Sequence, residues 1–340
     1  MSDLARERLA FRTRMRALVG AAALAGCPAG ASTIGATPLA DPASESISVT
    51  GEWESLPPLP VAVRSPAAVA VDGLIYVIGG SEASNRRTRA VQVYDPSLAQ
   101  WSRMQDAPAG WDFHTAVAID RRIHVISGAL DDGAQRGHWV LNLRTGYWQQ
   151  RAPIAVAVNT ATAQVVDGDI HVFGGVVGRD YRSLIQVYAP ETDTWRFGGD
   201  LPTGRLSSVS GVINRRVHLV GGGIPEYQTT PQHLIFDPST RAIASARDYP
   251  HAMEAGGGGV VDGVFCVFGG RLATQGRRNE PFSDTNCYTD GRWIELPALL
   301  TPRAEMAHVT LDGMIYAIGG DGARPSMDTV ERLVIVVERP

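Results

Sequence analysis

The sequence predicts an all-β protein: a six-bladed β-propeller with four antiparallel strands per blade and a ring closed by an N-terminal strand. Three observations predict it. First, an apolar run ending in a glycine pair, Leu74–Ile78 followed by Gly79-Gly80, recurs along the chain. The first position of the pair falls at 79, 127, 174, 221, 269 and 319, giving steps of 48, 47, 47, 48 and 50 residues. Self-similarity at such a period marks a repeat architecture, in which each unit buries its apolar faces against its neighbours. Second, a turn signal precedes each run, Asp72-Gly73 in the first copy and Asp120-Arg121, Asp167-Gly168, Asn214-Arg215, Asp262-Gly263 and Asp312-Gly313 in the others. Third, a tryptophan keeps the same period as Trp101, Trp148, Trp195 and Trp293, with Ile243 at the matching place in the fourth copy.

Along the chain, residues 1–26 read as an export signal. Arg6, Arg8, Arg12, Arg14 and Arg16 precede a short apolar run, residues 17–26, that is too short to span a bilayer. Leu24-Ala25-Gly26-Cys27 resembles the lipobox of bacterial lipoproteins, which implies lipidation at Cys27; cleavage after Ala29-Gly30-Ala31 is the alternative. Residues 27–46, rich in Ala, Ser, Thr, Pro and Gly, have too little apolar content to fold and read as a tether. The propeller is expected over 47–338.

Residues 64–105 show what one repeat is. Residues 67–71 form a short apolar strand, Asp72-Gly73 a two-residue hairpin turn, and 74–78 a second strand. Gly79-Gly80 stops that strand, because glycine tolerates positive φ and close backbone approach. A polar loop, 81–89, leads to a third strand at 90–94, and Asp95-Pro96-Ser97 turns the chain into a fourth strand around Trp101. The sixth repeat lacks its tryptophan. Residues 47–53, ending in Trp53, are strand-like without a repeat of their own, and pairing them onto the last blade would remove the exposed sheet edges.

Composition narrows the function. The net charge of −4 gives no case for nucleic acid, and no stretch of 18 apolar residues marks a membrane span, so a membrane enters only through an N-terminal lipid. All 31 basic side chains are Arg. Cys266 and Cys287 fall on adjacent strands of one repeat, either as a cross-strand disulfide or as two buried thiols.

An antiparallel meander places the Asp-Gly and Asp-Pro turns on one face. The loops after Gly-Gly and the blade-to-blade crossings then share the other, where long loops on a rigid scaffold carry function. Arg64, Asp112, Asn159, Leu206, Glu254 and Ala304 stand fifteen residues before each glycine pair and are expected to look toward the axis, with His114, Arg205, His251, Arg303 and Glu305 close by. Such a set suits an acid–base or sugar-binding pocket. Its competing reading is a salt-bridge network between blades. Gly256-Gly257-Gly258-Gly259 would leave the channel open beside Glu254, which makes Glu254 the candidate catalytic acid or base. Trp111, with Tyr181, Tyr227 and Phe282, would stack on a sugar ring or anchor a partner. His124, His171 and His218 share the register of Tyr76, Cys266 and Tyr316 on second strands. That is about 4.8 Å outside the inner strands, too far apart around the ring for zinc bonds of about 2.0–2.1 Å. No metal or cofactor is expected.

Gly-Gly, the aromatic before each tryptophan (Tyr94 with Trp101, Tyr188 with Trp195, Phe236 in the fourth copy) and the Asp-Gly hairpin together resemble kelch repeats over 47–337. The second repeat departs, with Ser127-Gly128 for Gly-Gly and Leu141 for the aromatic. The sialic acid epimerases (mutarotases) are exported bacterial kelch propellers of similar six-bladed size. That resemblance implies a central Glu with Arg residues around an anionic sugar, here Glu254 with Arg64, Arg205 and Arg303. Galactose oxidase is also a kelch propeller, but with seven blades and a further domain contributing copper ligands, so copper oxidation is not expected. The leading expectation is an exported, monomeric binding module for a protein or glycan, periplasmic, outer-membrane-anchored or extracellular. Sugar-acid epimerisation is the alternative.

Overall fold

The computed structural model describes residues 47–130, 133–274 and 277–339; the expected export signal and tether, with Cys27, lie outside the described residues. Six four-stranded antiparallel sheets follow one another in chain order. Blade one is Ala67–Val71, Leu74–Ile78, Val91–Asp95 and Gln100–Arg103. The inner strands of the next five blades are Thr115–Ile119, Thr162–Val166, Val209–Ile213, Gly257–Val261 and Ala307–Leu311. Asp72 and Gly73 have φ of 52° and 76°. Both central residues at positive φ match the right-handed twist of the strands they join.

The sixth blade is built from both ends of the ring. Its outer strand is Ser48–Leu56, paired antiparallel with Val330–Glu338 from Ser48↔Glu338 to Leu56↔Val330. Trp53 lies opposite Leu333, the register in which Trp101 lies opposite Tyr94 and Trp195 opposite Tyr188. The N-terminal strand thus supplies the missing repeat tryptophan. Its Nε1 donates to Thr285 Oγ1 at 3.1 Å, and its ring meets Phe268 edge-on at 4.9 Å, tying blade six to blade five. Trp101, Trp195 and Trp293 each donate Nε1 to a carbonyl of the preceding blade's exit, at Pro57, Ala152 and Arg247.

Two concentric belts of backbone hydrogen bonds join the blades. In the inner belt, Ser65 N–H donates to Glu305 O at 2.8 Å, Glu305 to Ala255 at 2.8 Å, and Ala255 to Ser207 at 2.9 Å. Ser207 donates to Thr160 at 2.7 Å, Thr160 to Phe113 at 2.8 Å, and Phe113 to Ser65 at 3.3 Å, which closes the circle. All six residues take positive φ, between 49° and 56°, and none is glycine. That conformation costs energy locally and persists where its surroundings fix it. In the outer belt the second residue of each glycine pair donates to a carbonyl of the next blade: Gly80 to Trp111, Gly128 to Val158, Gly175 to Arg205, Gly222 to Met253, Gly270 to Arg303 and Gly320 to Val63.

The outer belt explains the glycine pair. A Cβ on Gly79 would lie 2.6 Å from Trp111 O, and on Gly319 2.6 Å from Val63 O. Ser127, the exception, has φ of 61°; its hydroxyl lies against Val158 O and accepts the Val158 N–H at 3.1 Å. A hydroxyl turns the clash into a bond.

Cys266 and Cys287, directly opposed on neighbouring strands and fully buried, form a disulfide, which decides between the two expectations. The core histidines are packing groups. His124 Nδ1 lies 3.0 Å from His138 Nε2, and His218 Nδ1 lies 2.9 Å from His233 Nε2. Burial, with the partner ring's charge second, pushes His124 down to about 3 and His233 to about 4; burial also takes His138 and His218 to about 4. Among the described residues no group of three or more His, Cys, Asp or Glu is placed to hold a metal ion.

Two outcomes are expected. Gly79→Ala should lower unfolding free energy by about 2 kcal/mol or more, and Gly79→Ser by clearly less, as read from urea denaturation; equal losses would contradict the hydroxyl argument. The buried imidazoles bind protons more weakly folded than unfolded, so their stabilisation is complete above the unfolded value of 6.5 and is lost as pH falls toward the folded values. Denaturation midpoints should therefore decline from about pH 6.5 to about pH 4.5, before most carboxylates titrate. A flat profile across that window would contradict the assignment of neutral buried pairs.

Candidate functional site

The loops after the glycine pairs are structured. In blades two to five each folds into a two-stranded hairpin: Ala129–Leu130 with Gly133–Ala134, Val176–Val177 with Asp180–Tyr181, Gly223–Ile224 with Gln228–Thr229, and Arg271–Thr274 with Arg277–Pro281. The hairpins of blades two and three touch, as do those of blades four and five. Sequence reading gave polar loops here, because two-residue ladders leave no periodic signal. Several loop-face charges are paired, locally as Arg86 with Glu82, Arg182 with Asp180 and Arg324 with Asp328, and between blades as Arg271 with Asp321.

The six positions fifteen residues before the glycine pairs are structurally equivalent. Each forms a bridge in its own blade: Arg64↔Ser81, Asp112↔Ala129, Asn159↔Val176, Leu206↔Gly223, Glu254↔Arg271 and Ala304↔Asp321. They do not line the axis. The next residue in each blade, the inner-belt residue, does. Ala255 therefore stands on the channel wall where Glu254 was expected, and Glu305 is the acid that lines it. The Glu254 carboxylate instead packs over Gly223 of the preceding blade, in the space a Cβ there would need. It lies near Tyr181, whose phenol is pushed up by burial and then by the charges of Glu254 and Tyr227.

One residue earlier in each crossing, Val63, Trp111, Val158, Arg205, Met253 and Arg303 fill one buried slot per blade. Three residues expected at a site belong to this slot. Trp111, expected to be exposed, is 2% exposed and packs 6.1 Å from Trp148. Arg205 donates to Gln232 Oε1 at 2.8 Å and Gly221 O at 3.3 Å, and burial brings it down to about 10. Arg303 donates to Glu331 Oε1 at 2.8 Å and Ala317 O at 3.0 Å, both within blade six. A guanidinium here bonds carbonyls of its own blade, so these arginines brace single blades.

The remaining expected residues divide between rim and wall. Asp112 is buried and accepts from Ser81 Oγ at 2.6 Å and Arg87 Nε at 2.8 Å, a contact between blades one and two. Arg64 Nη2 donates to Asn85 Oδ1 at 2.7 Å on the rim. Asn159 O accepts from Thr160 Oγ1 at 2.6 Å. His251 lies 2.8 Å from Asp284, which also accepts from Tyr249 and Asn286; this hydrogen bond raises the imidazole, and Phe282 packs on it at 4.6 Å. His114 lines the channel, and burial pushes it down to about 4 against the opposing pull of the Asp112 charge and the Ile78 backbone.

The channel encloses about 540 Å³. Its loop end carries Ser65, Phe113, Thr160, Ser207, Ala255 and Glu305, its middle Thr115, Thr162, Ser210 and His308, and its far end Val69, Val117, Val165, Val212, Val260 and Val309 together with Ala70, Ala118, Gln164 and Thr310. Ser65 Oγ donates to Glu305 Oε2 at 2.8 Å, Thr162 Oγ1 lies 2.6 Å from Ser210 Oγ, and Gln164 Nε2 donates to Ser210 Oγ at 3.0 Å. His308 Nδ1 lies 2.6 Å from Gly258 O, so Nδ1 carries the proton, and burial keeps the ring neutral. Glu305 was among the expected residues; Ser65, Thr160, Thr162, Ser207, Ser210 and His308 were missed because the expected register was one residue early. Gly256, Gly258 and Gly259 line the channel, but the Cβ positions of the run 256–259 lie against Met253, Phe268, Val209 and Thr310. Glycine there lets neighbouring blades crowd together.

Comparison with known proteins agrees with this geometry. The family described as the KLHDC2/KLHL20/DRC7 Kelch-repeats domain matches residues 46–222, and the Kelch motif matches 302–336. Kelch-like protein 35 of Mus musculus is 28% identical over 52% of this chain and 30% of its own length. Kelch-like protein terF of Aspergillus terreus is 25% identical over 76% of this chain and 60% of its own. Kelch-like protein 38 of Homo sapiens is 25% identical over 70% and 41%. The chain thus spans 30% to 60% of the length of these relatives. The solved structure titled "Structure of YjhT" superposes with a TM-score of 0.72 at 16% identity, covering 84% of this chain and 99% of that one, which shows the shared fold. With six blades, glycine pairs in five of them and a tryptophan or Ile243 on each outer strand, the chain belongs to the kelch-repeat family of β-propellers.

Proposed function

We propose that the protein is a binding module whose loop face engages a protein partner. Kelch propellers typically serve as protein-binding modules. The observation that carries the reading is the asymmetry of the two faces: hairpins and long crossings on one, and on the other short turns without secondary structure of their own, as at Asp72-Gly73 and residues 96–99. The hairpin of blade four supports it further. Its tip, Pro225–Tyr227, holds Glu226 and Tyr227 at φ of 66° and 56°, with Tyr227 44% exposed beside the Tyr181 hairpin. Strained non-glycine residues presenting an aromatic side chain on a rigid scaffold are a common form of recognition element.

In this reading the protein is exported, and Cys27 tethers it to a membrane by a lipid. The Cys266–Cys287 disulfide supports an oxidising compartment. A glycan is the alternative ligand class for the same face. Sugar-acid epimerisation is less favoured, because Arg205 and Arg303 are committed to the buried slot and Glu254 stands off the channel wall.

The test is to identify partners by crosslinking in the native host and to measure the affinity of each for purified variants. Tyr227→Ala combined with Arg179→Glu should weaken binding about tenfold or more, about 1.4 kcal/mol, while Arg121→Ser on the opposite face should leave it unchanged. Equal affinity for wild type and the loop-face variant, across every partner found, would overturn the assignment of that face.

A further inference from the structure

The inner belt limits what reaches the channel. Neighbouring strand residues joined by backbone hydrogen bonds stand about 4.5–5.5 Å apart, and in a six-membered ring that spacing is also the radius. Subtracting about 2 Å for the backbone's own thickness leaves an opening about 6 Å across. Water, ions and slender small molecules pass; folded protein does not. Behind the opening lie 540 Å³, within the usual range for a small-molecule site.

The wall changes character along the axis. At the mouth stand the hydroxyls of Ser65, Thr160 and Ser207 with the Glu305 carboxylate; the far end is mainly valine and alanine, with Gln164 and Thr310 among them. Among the described lining residues Glu305 is the charged one, since no Arg lines the channel and His114 and His308 are held neutral. His308 gives its Nδ1 proton to Gly258 O, so its Nε2 is an acceptor. Inner strands are sheet edges, and their unpaired backbone groups, N–H and carbonyl alike, add both donors and acceptors. A carboxylate at one end and a mainly apolar surface at the other: such a chamber rewards a cationic head over an anionic one and shields a short tail from water.

We propose that the central channel is a binding site for a small ammonium-headed amphiphile, its head at Glu305 and its tail among the far-end valines. The site is independent of the loop-face reading, since its ligand enters through the belt and does not use the hairpins.

Hexylammonium, hexanol and hexanoate share one tail and differ in head charge, which makes them the probes. Titration of the full chain, followed by ligand-observed NMR and calorimetry, should show saturable hexylammonium binding about tenfold tighter than hexanoate and tighter than hexanol. Glu305→Gln keeps an acceptor for Ser65 Oγ and should shrink the ammonium preference to about twofold, with an unchanged melting temperature as the folding control. Hexanoate or hexanol binding as tightly as hexylammonium to the wild type, or no saturable binding by any of the three, would overturn the proposal whether or not the variant folds.

Discussion

Each blade hands its neighbour two backbone hydrogen bonds, one from the inner-belt residue and one from the second residue of the glycine pair, and the rest of the structure depends on that handover. A blade alone exposes both apolar faces and both sheet edges. Side-chain packing supplies most of the attraction between blades, but it is tolerant of shape. The belts are not tolerant. They demand positive φ at twelve consecutive-blade positions, six in each belt's donor or its partner glycine, and so fix the angle at which one blade meets the next. Closure follows: when the sixth handover, Gly320 to Val63 and Ser65 to Glu305, is made, the N-terminal strand lies where Val330–Glu338 needs a partner.

The same constraint sorts the crossing residues by role. Three successive residues in each crossing have three fates. The first fills the buried slot, the second bridges to the residue after the glycine pair, and the third joins the inner belt and meets the channel. The slot accepts Val, Trp, Met or Arg because it is bounded by carbonyls as well as apolar groups. The bridge residue contacts the preceding blade, as Asp112 does with Ser81 and Glu254 with Gly223. Only the third position sees the axis, which is why charge in the channel comes down to Glu305.

Much of the architecture was legible because it repeats. The strands 67–71 and 74–78 appear where the sequence places them; the third strand, expected at 90–94, is Val91–Asp95. Trp53 could be assigned to blade six because five blades defined the place it had to fill. The site was less legible. Periodicity identified six equivalent positions, but it carries no phase relative to the axis, and the actual phase is set by the belt's positive φ, which nothing in Ser65, Phe113 or Glu305 advertises. Arg205 and Arg303 looked functional by residue type, whereas burial against Gln232 and Glu331 makes them structural. The run at 256–259 looked like open space, because glycine signals closeness of backbone without saying what approaches it.

The most direct test of the account is native-state hydrogen exchange at the amides of Ser65, Phe113, Thr160, Ser207, Ala255 and Glu305. If the belts close the ring as one cooperative unit, these six amides should exchange together, at the slow rate set by global unfolding. Exchange that differs from blade to blade, or that keeps pace with the outer strands, would contradict the claim that the handover between blades holds the propeller shut.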